Sequence, residues 1–369
     1  MTQVETPQDL RALTALRFFA AAWVALYAFW PNLDIGVTPN LVAKGYLGVE
    51  LFFVLSGFIL SHVYLKAFGE GGFRYGGFLW ARIARVYPLH LATLLGVGAL
   101  GLAAVAAGMA IDGNVLSWAS LPAHLTMLHA WGFAPEAGWN HSSWSISAEW
   151  FAYLTFPAFA FVAWRLRERP LVAVAGAIGI GAVLYAGFQA LAGFSLTEAT
   201  FRWGALRIVP CFAYGCALYL LHRRGGLWRP GWLVAGSVIG IGLAASLQAP
   251  DAVVVLFAGG LILGLGGLSN AAAGWLASRP AVYLGEISYA IYMVLVPWQL
   301  LAVNLAARVT GAEDKKLHLF VWLAVVLALP VVAAIAYHLV EHPARRALRG
   351  MADRRAAHAE RRRQAAQLA

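Results

Sequence analysis

The sequence predicts an all-α polytopic membrane protein of about ten transmembrane helices, with both termini on the cytoplasmic side. Three observations carry this. Of 369 residues, 61% are hydrophobic and 12% charged, with a mean hydropathy of +0.70; soluble chains are about half apolar and about one quarter charged. Ten apolar runs approach or reach the length that crosses a hydrocarbon core, where the backbone must satisfy itself as helix. Lys and Arg crowd into every second connection between those runs.

The first run, Ala12–Trp30, carries Arg17 within it. An ionised side chain at membrane depth costs at least about 2.5–3.5 kcal/mol and marks a functional position by default. Eleven residues further on stands Ala28, about 16 Å along a helix and on the same face, so Arg17 is expected to look along a groove toward it. The second run, Tyr46–Leu65, has Glu50 near its start, a possible neighbour of position 28 across an antiparallel pair. The third, Leu89–Ile111, follows Arg82 and Arg85, with Pro88 expected to open the helix.

The longest outer loop, Asp112 to Ser147, carries Trp118, Trp131, Trp139 and Trp144, and is expected to lie in the interface or fold back as a short helix. A short fourth run, Glu149–Trp164, follows it, then Leu171–Ala192 and Gly204–Leu221. The last of these contains Arg207, which must face a cavity or a carboxylate. Trp232–Leu247 and Val253–Leu268 are separated only by residues 248–252, a tight hairpin turn. Leu284–Ala306 and Leu317–Val340 complete the set. The stretches GAIGIGAVLYAG and GGLILGLGGL are read as close helix packing through small residues. Cys211 and Cys216 are read as core residues, neither a disulfide nor metal ligands.

With the N-terminus in the cytoplasm, the inner connections hold Lys66, Arg74, Arg82 and Arg85, then Arg165, Arg167 and Arg169, then Arg223, Arg224 and Arg229, then Arg279 and the tail. The outer ones hold Lys44, Arg202, Arg308, Lys315 and Lys316. The net charge of +10 therefore speaks for orientation and contact with anionic membrane lipids. No nucleic-acid module is visible, and no metal site. The polar, acidic start with Glu5 and Asp9 is read as lacking a cleavable leader. Residues 1–343 are taken as the membrane domain, and 344–369 as a basic cytoplasmic tail lying on the membrane surface or in solvent.

Several polar constellations interrupt the apolar runs. Arg82 and Arg85, three apart in RIARVYPLH, share a helix face and suit phosphate oxygens. In NHSSWSISAEWFAYL, the groups Asn140, His141, Trp144, Ser145 and Glu149 gather at the mouth of the fourth run, where the Glu149 charge needs a partner or water. GYLGVELFFVLSGFIL places Glu50, and GEISYAIYMVLVP and Glu341 with Pro343 follow near the end.

Together these segments resemble the integral-membrane acyltransferase family 3, from about Arg11 to Pro343. The family's first helix carries an Arg followed eleven positions later by a His: Arg17 matches, and Ala28 stands where the His is expected. Glu50 replaces the usual Asp of a Gly-Val-Asp-x-Phe-Phe-x-x-Ser-Gly-Phe segment. Arg82, Arg85 and Pro88 resemble the Arg-x-x-Arg-x-x-Pro motif, and residues 144–149 the Trp-Ser-Leu-Ser-x-Glu motif. In the Ser-Tyr-x-x-Tyr segment, Leu295 occupies a place where members often have a His.

The resemblance implies transfer of an acetyl group from cytoplasmic acetyl-CoA, a co-substrate rather than a resident cofactor, to a hydroxyl of a saccharide or glycan such as an exopolysaccharide, at the outer side of a bacterial inner membrane. Arg17, Arg82 and Arg85 would hold the donor. Ala28, Glu50 and Glu149 mark the catalytic positions, and Asn140, Trp144, Ser145 and Arg207 the acceptor contacts. Ala28 has no ionisable group, so this chain is expected to bind acetyl-CoA yet be nearly inactive, as a His-to-Ala replacement. A natural variant that works through Glu50 or His141, or one that has lost catalysis, is the other reading. A transporter or flippase of lipid-linked sugars and a non-catalytic membrane binding protein are the alternatives from other classes.

Overall fold

The computed structural model describes residues 9–109, 115–225, 229–351 and 354. Ten long helices match the ten apolar runs one for one: α1 Arg11–Phe29, α2 Gly48–Gly69, α3 Tyr75–Ala106, α4 Trp144–Arg165, α5 Pro170–Ala192, α6 Gly204–His222, α7 Pro230–Ser246, α8 Asp251–Gly266, α9 Ser288–Thr310 and α10 Leu319–Ala336. Eight of them are long and apolar enough to cross a membrane, while α7 and α8 are shorter apolar helices of 17 and 16 residues. Among the described residues there is no strand, only one parallel bridge between Leu33 and Leu317. The chain is an all-α integral membrane protein.

Two boundaries differ from the sequence reading. α3 begins at Tyr75, so Pro88 lies inside a 32-residue helix rather than opening it. Arg82 and Arg85 therefore project from one continuous helix. α4 begins at Trp144, which places Glu149 more than a turn inside the helix rather than at its start. The expected fold-back helix is present as Leu121–Leu125, and the 248–252 turn joins α7 to α8 as expected.

The core is organised on α2 and α6. At their crossing a Cβ added to Gly57 would strike the Phe212 carbonyl, and one added to Gly215 would strike the Val54 carbonyl. The missing side chains let the two backbones touch. The glycines of α8 work in the same way, Gly259 against Tyr214 and Gly264 against Val234. Those of α5 do not: Gly176, Gly179 and Gly187 have nothing within 4 Å, and that helix buries little. Both cysteines are free and buried in α6, as read from sequence.

One end of the bundle, here the loop end, is tied by hydrogen bonds. Leu317 N–H donates to Asn32 O at 2.8 Å, Trp322 Nε1 to Phe29 O at 2.8 Å, and Gln299 Nε2 to Ala28 O at 2.9 Å. Lys44 pairs with Asp251 at 2.5 Å, and Tyr46 and Thr197 donate to the same carboxylate. At the opposite end, the tail end, α10 runs through a π-turn, Tyr337–Glu341, and continues helical through residue 351. Pro343 gives the reason for the wide turn: its ring would clash with the carbonyl four residues back, and the π-turn relieves that clash. Residues 355–369 of the basic tail lie outside the described residues.

Candidate functional site

A cavity of about 310 Å³ opens between α1, α2, α3, α4 and α9. Arg17, Arg82, Arg85, Glu149 and Ser145 line it, with Tyr64, Tyr153, Tyr289 and Tyr292. The three arginines read from sequence as one site thus meet in space, although they come from α1 and α3. Three guanidiniums face one carboxylate. Neither Arg17 nor Arg85 makes a hydrogen bond or ion pair among the described residues. Arg82 lies over three rings, those of Tyr64, Phe78 and Tyr153, at 5.8–5.9 Å, and approaches the Tyr64 hydroxyl at 3.4 Å. Its Nε is buried without a partner.

Local packing sets these positions. The short helix Arg279–Glu286 leans on α1 because Gly285 lets the Thr14 carbonyl approach. Ser288 Oγ then donates to Gly285 O at 2.7 Å, and Tyr289 donates to Val86 O at 2.6 Å, bracing α9 against α3. Glu149 accepts a hydrogen bond from Ser56 Oγ at 2.9 Å, the partner its charge required. Ser56 was not singled out in sequence, although it sits in the same segment as Glu50.

Glu50 lies elsewhere than expected. Its two carboxylate oxygens accept from Arg207 Nε at 2.5 Å and Nη2 at 2.9 Å, with both side chains about 2% exposed or less. Arg207 also donates to Ala199 O at 2.7 Å and stacks on Trp144 at 4.5 Å. The expectation that Glu50 stands beside position 28 is corrected. Gly45 meets α1 at Trp23 and Tyr27, and Gly48 meets it at Ala20 and Val24. This antiparallel register sets Glu50 opposite about position 20, roughly 12 Å of helix rise from Ala28. Ala28 is half-buried at the loop end and does not line the cavity.

Of the four residues read as acceptor contacts, Ser145 alone lines the cavity. Trp144 and Arg207 are buried with Glu50, and Asn140 is fully buried, donating to Thr93 Oγ1 at 3.0 Å and Met293 O at 2.9 Å. Beside Asn140 lies a feature that sequence reasoning missed. The rings of His90 and His129 are parallel at 5.9 Å, and those of His129 and His124 at 4.1 Å, all three buried. Ser143 gives its one hydrogen to Asn140 O at 2.7 Å, so His129 Nε2 donates to Ser143 Oγ at 3.0 Å. His90 Nε2 donates to His124 O at 2.8 Å, and His124 Nδ1 to Ser120 O at 2.9 Å. Burial holds His124 and His129 below the ordinary histidine value of 6.5, and His129 further through its histidine neighbours. Face-to-face rings do not converge on one point, and no described group of His, Cys, Asp and Glu could hold a metal ion. His90 lies 34 and 39 residues before His124 and His129, beyond the reach of any periodicity, although the latter two are five residues apart.

A helical membrane bundle with a guanidinium-lined cavity between its helices defines a class that the comparisons make specific. A model of the acyltransferase-domain family, acyltransferase family 3, matches residues 10–339, and the chain belongs to that family. It is 28% identical over 335 residues to "Acyltransferase MdmB" of Streptomyces mycarofaciens, covering 82% of this chain and 81% of that protein. A 52-residue stretch, 14% of this chain, is 54% identical to 27% of "Protein 2 in picA locus" of Rhizobium radiobacter. No solved structure matches.

Proposed function

We propose that this chain binds acetyl-CoA and carries the framework for moving its acetyl group to a hydroxyl of a saccharide or glycan at the outer side of a bacterial inner membrane. The observation that supports this most is the cavity itself, in which Arg17, Arg82 and Arg85 outnumber Glu149. Uncompensated guanidiniums at membrane depth suit a phosphorylated ligand, because the Arg fork matches phosphate oxygens. The tail end is then cytoplasmic, where the donor is found, and the loop end faces the acceptor.

In the transfer, the acceptor oxygen attacks the thioester carbonyl. A C–O bond forms, the C–S bond breaks, and the hydroxyl proton passes through a base to the departing thiolate. Arg82 and Arg85 hold the phosphates, and Arg17 lies deeper along the acyl path. Glu149, kept in place by Ser56, contacts the acceptor side. The base position on α1 is residue 28, about 16 Å beyond Arg17, and Ala28 leaves it without a proton acceptor. General-base catalysis contributes about 10²–10⁴-fold, so this chain binds donor and turns it over very slowly.

The test is acetyl-CoA binding and acetyl release or transfer in nanodiscs, for this chain beside Ala28→His. Binding by both with at least about a hundredfold gain in turnover for the His form supports the reading. Failure of both to bind acetyl-CoA overturns it.

A further inference from the structure

The cavity holds Arg17 and the Arg82–Arg85 pair; a second pair stands just outside it, on a helix that the sequence places in a surface tail. After the π-turn, the chain continues helical along the first turns of α3, where Trp80 Nε1 donates to Leu348 O at 2.9 Å. That contact lies two residues from Arg82. The wide turn shifts the helical register, and Glu341, Arg345 and Arg349, spaced by four, share the face turned to α3.

The charges on this face do not balance. Arg345 lies 3.6 Å from Glu341, too far for a hydrogen bond, and both Glu341 oxygens are buried without hydrogen-bond partners. Arg82, Arg345 and Arg85 act on Arg349 with its own sign, and Tyr64 acts against them. Those that act on Glu341 include Arg85, Arg345 and Arg17. Five guanidiniums, Arg17, Arg82, Arg85, Arg345 and Arg349, thus lie with three carboxylates, Glu149, Glu341 and Glu286. Like charges repel, and Arg349, itself exposed, is open to an anion from solvent. An anion between the two helices removes the repulsion and supplies acceptors for the unpartnered Arg82 Nε.

We propose that Arg345 and Arg349 form a second phosphate subsite, separate from the Arg82–Arg85 subsite, so that the C-terminal helix takes part in donor recognition. The inference rests on the donor reading given above. Two arginine pairs on two helices fit a carrier with two separated phosphate groups: a diphosphate for the pair in the cavity and a phosphomonoester for the pair outside. A phosphopantetheine carrier, with a single phosphate, would leave one pair empty. A lipid headgroup offers the same phosphate chemistry from another source, and the experiment separates the two.

The experiment measures the affinities of CoA and 3′-dephospho-CoA for the full chain in nanodiscs of zwitterionic lipid, and for Arg345→Gln, Arg349→Gln and the double variant. The chain is expected to prefer CoA by roughly tenfold, the worth of one charge-assisted contact. The double variant is expected to lose that preference while binding 3′-dephospho-CoA as before. An unchanged preference in the variants overturns the subsite, as does equal weakening of both ligands. So does a preference that depends on adding anionic lipid, which assigns the pair to the membrane. If neither ligand binds the unaltered chain, the donor reading itself falls. Trp80→Phe, which removes the hydrogen bond to Leu348 without touching charge, is expected to reduce the CoA preference partially; an unchanged preference there means that the helix is not held for this purpose and also counts against the subsite.

Discussion

Glu50 of α2 and Arg207 of α6 form a bidentate pair, 2.5 and 2.9 Å long, closed off from solvent and capped by the Trp144 ring. The pair accounts for two intramembrane charges at once. It also locks the α2–α6 crossing, because the two residues sit on the two helices whose backbones meet at Gly57 and Gly215.

Removing one partner leaves the other charge buried and alone. Glu50→Gln or Arg207→Met is expected to cost about 3–5 kcal/mol, read as a lower midpoint of unfolding in detergent. The double variant Glu50→Leu with Arg207→Met is expected to recover most of that loss. Equal and additive losses would show that the two side chains do not act as a pair.

The α2–α6 crossing makes a second prediction by contrast. Gly215→Ala puts a methyl group against the Val54 carbonyl and is expected to destabilise by about 1–3 kcal/mol through overpacking. Gly176→Ala on α5 meets nothing within 4 Å, and should be neutral or stabilising by about 0.5–1 kcal/mol from helix propensity. Thermal unfolding of the two variants side by side measures the difference.

The stacked histidines predict acid sensitivity. The folded pKa values of His124 and His129 lie below 6.5, so between the folded and unfolded values the unfolded chain binds more protons. Stability therefore rises with pH through that window and is lost as pH falls below about 6.5. His129→Gln keeps a donor for Ser143 without a titrating ring. Its midpoint of unfolding is expected to fall less between pH 7.5 and about 5 than that of the unaltered chain.

Charge in the cavity predicts an opposite response of binding and turnover. Glu149→Gln retains an acceptor for Ser56 and removes the one carboxylate lining the cavity. Acetyl-CoA affinity is expected to rise about 3–10-fold, since a like charge no longer opposes the phosphates. Turnover in the Ala28→His background is expected to fall. Weaker binding by Glu149→Gln would mean that the carboxylate orders the arginines rather than opposing the ligand.

By itself the sequence determined the class, the ten helices, the turn between α7 and α8 and the family. These follow from hydropathy, spacing and short motifs, which are properties of neighbouring residues. It also singled out the intramembrane charges Arg17, Glu50, Arg82, Arg85, Glu149 and Arg207, because an ion in an apolar run is conspicuous wherever the chain folds. Only the tertiary structure decided their partners. Glu50 and Arg207 are 157 residues apart, and their pairing depends on which helices touch and at what register. A shift of eight residues between α1 and α2 separates Glu50 beside Ala28 from Glu50 beside Arg207, and no local pattern encodes that shift. The same holds for the histidine stack and for Arg345 and Arg349, whose return to α3 follows from one wide turn ahead of Pro343.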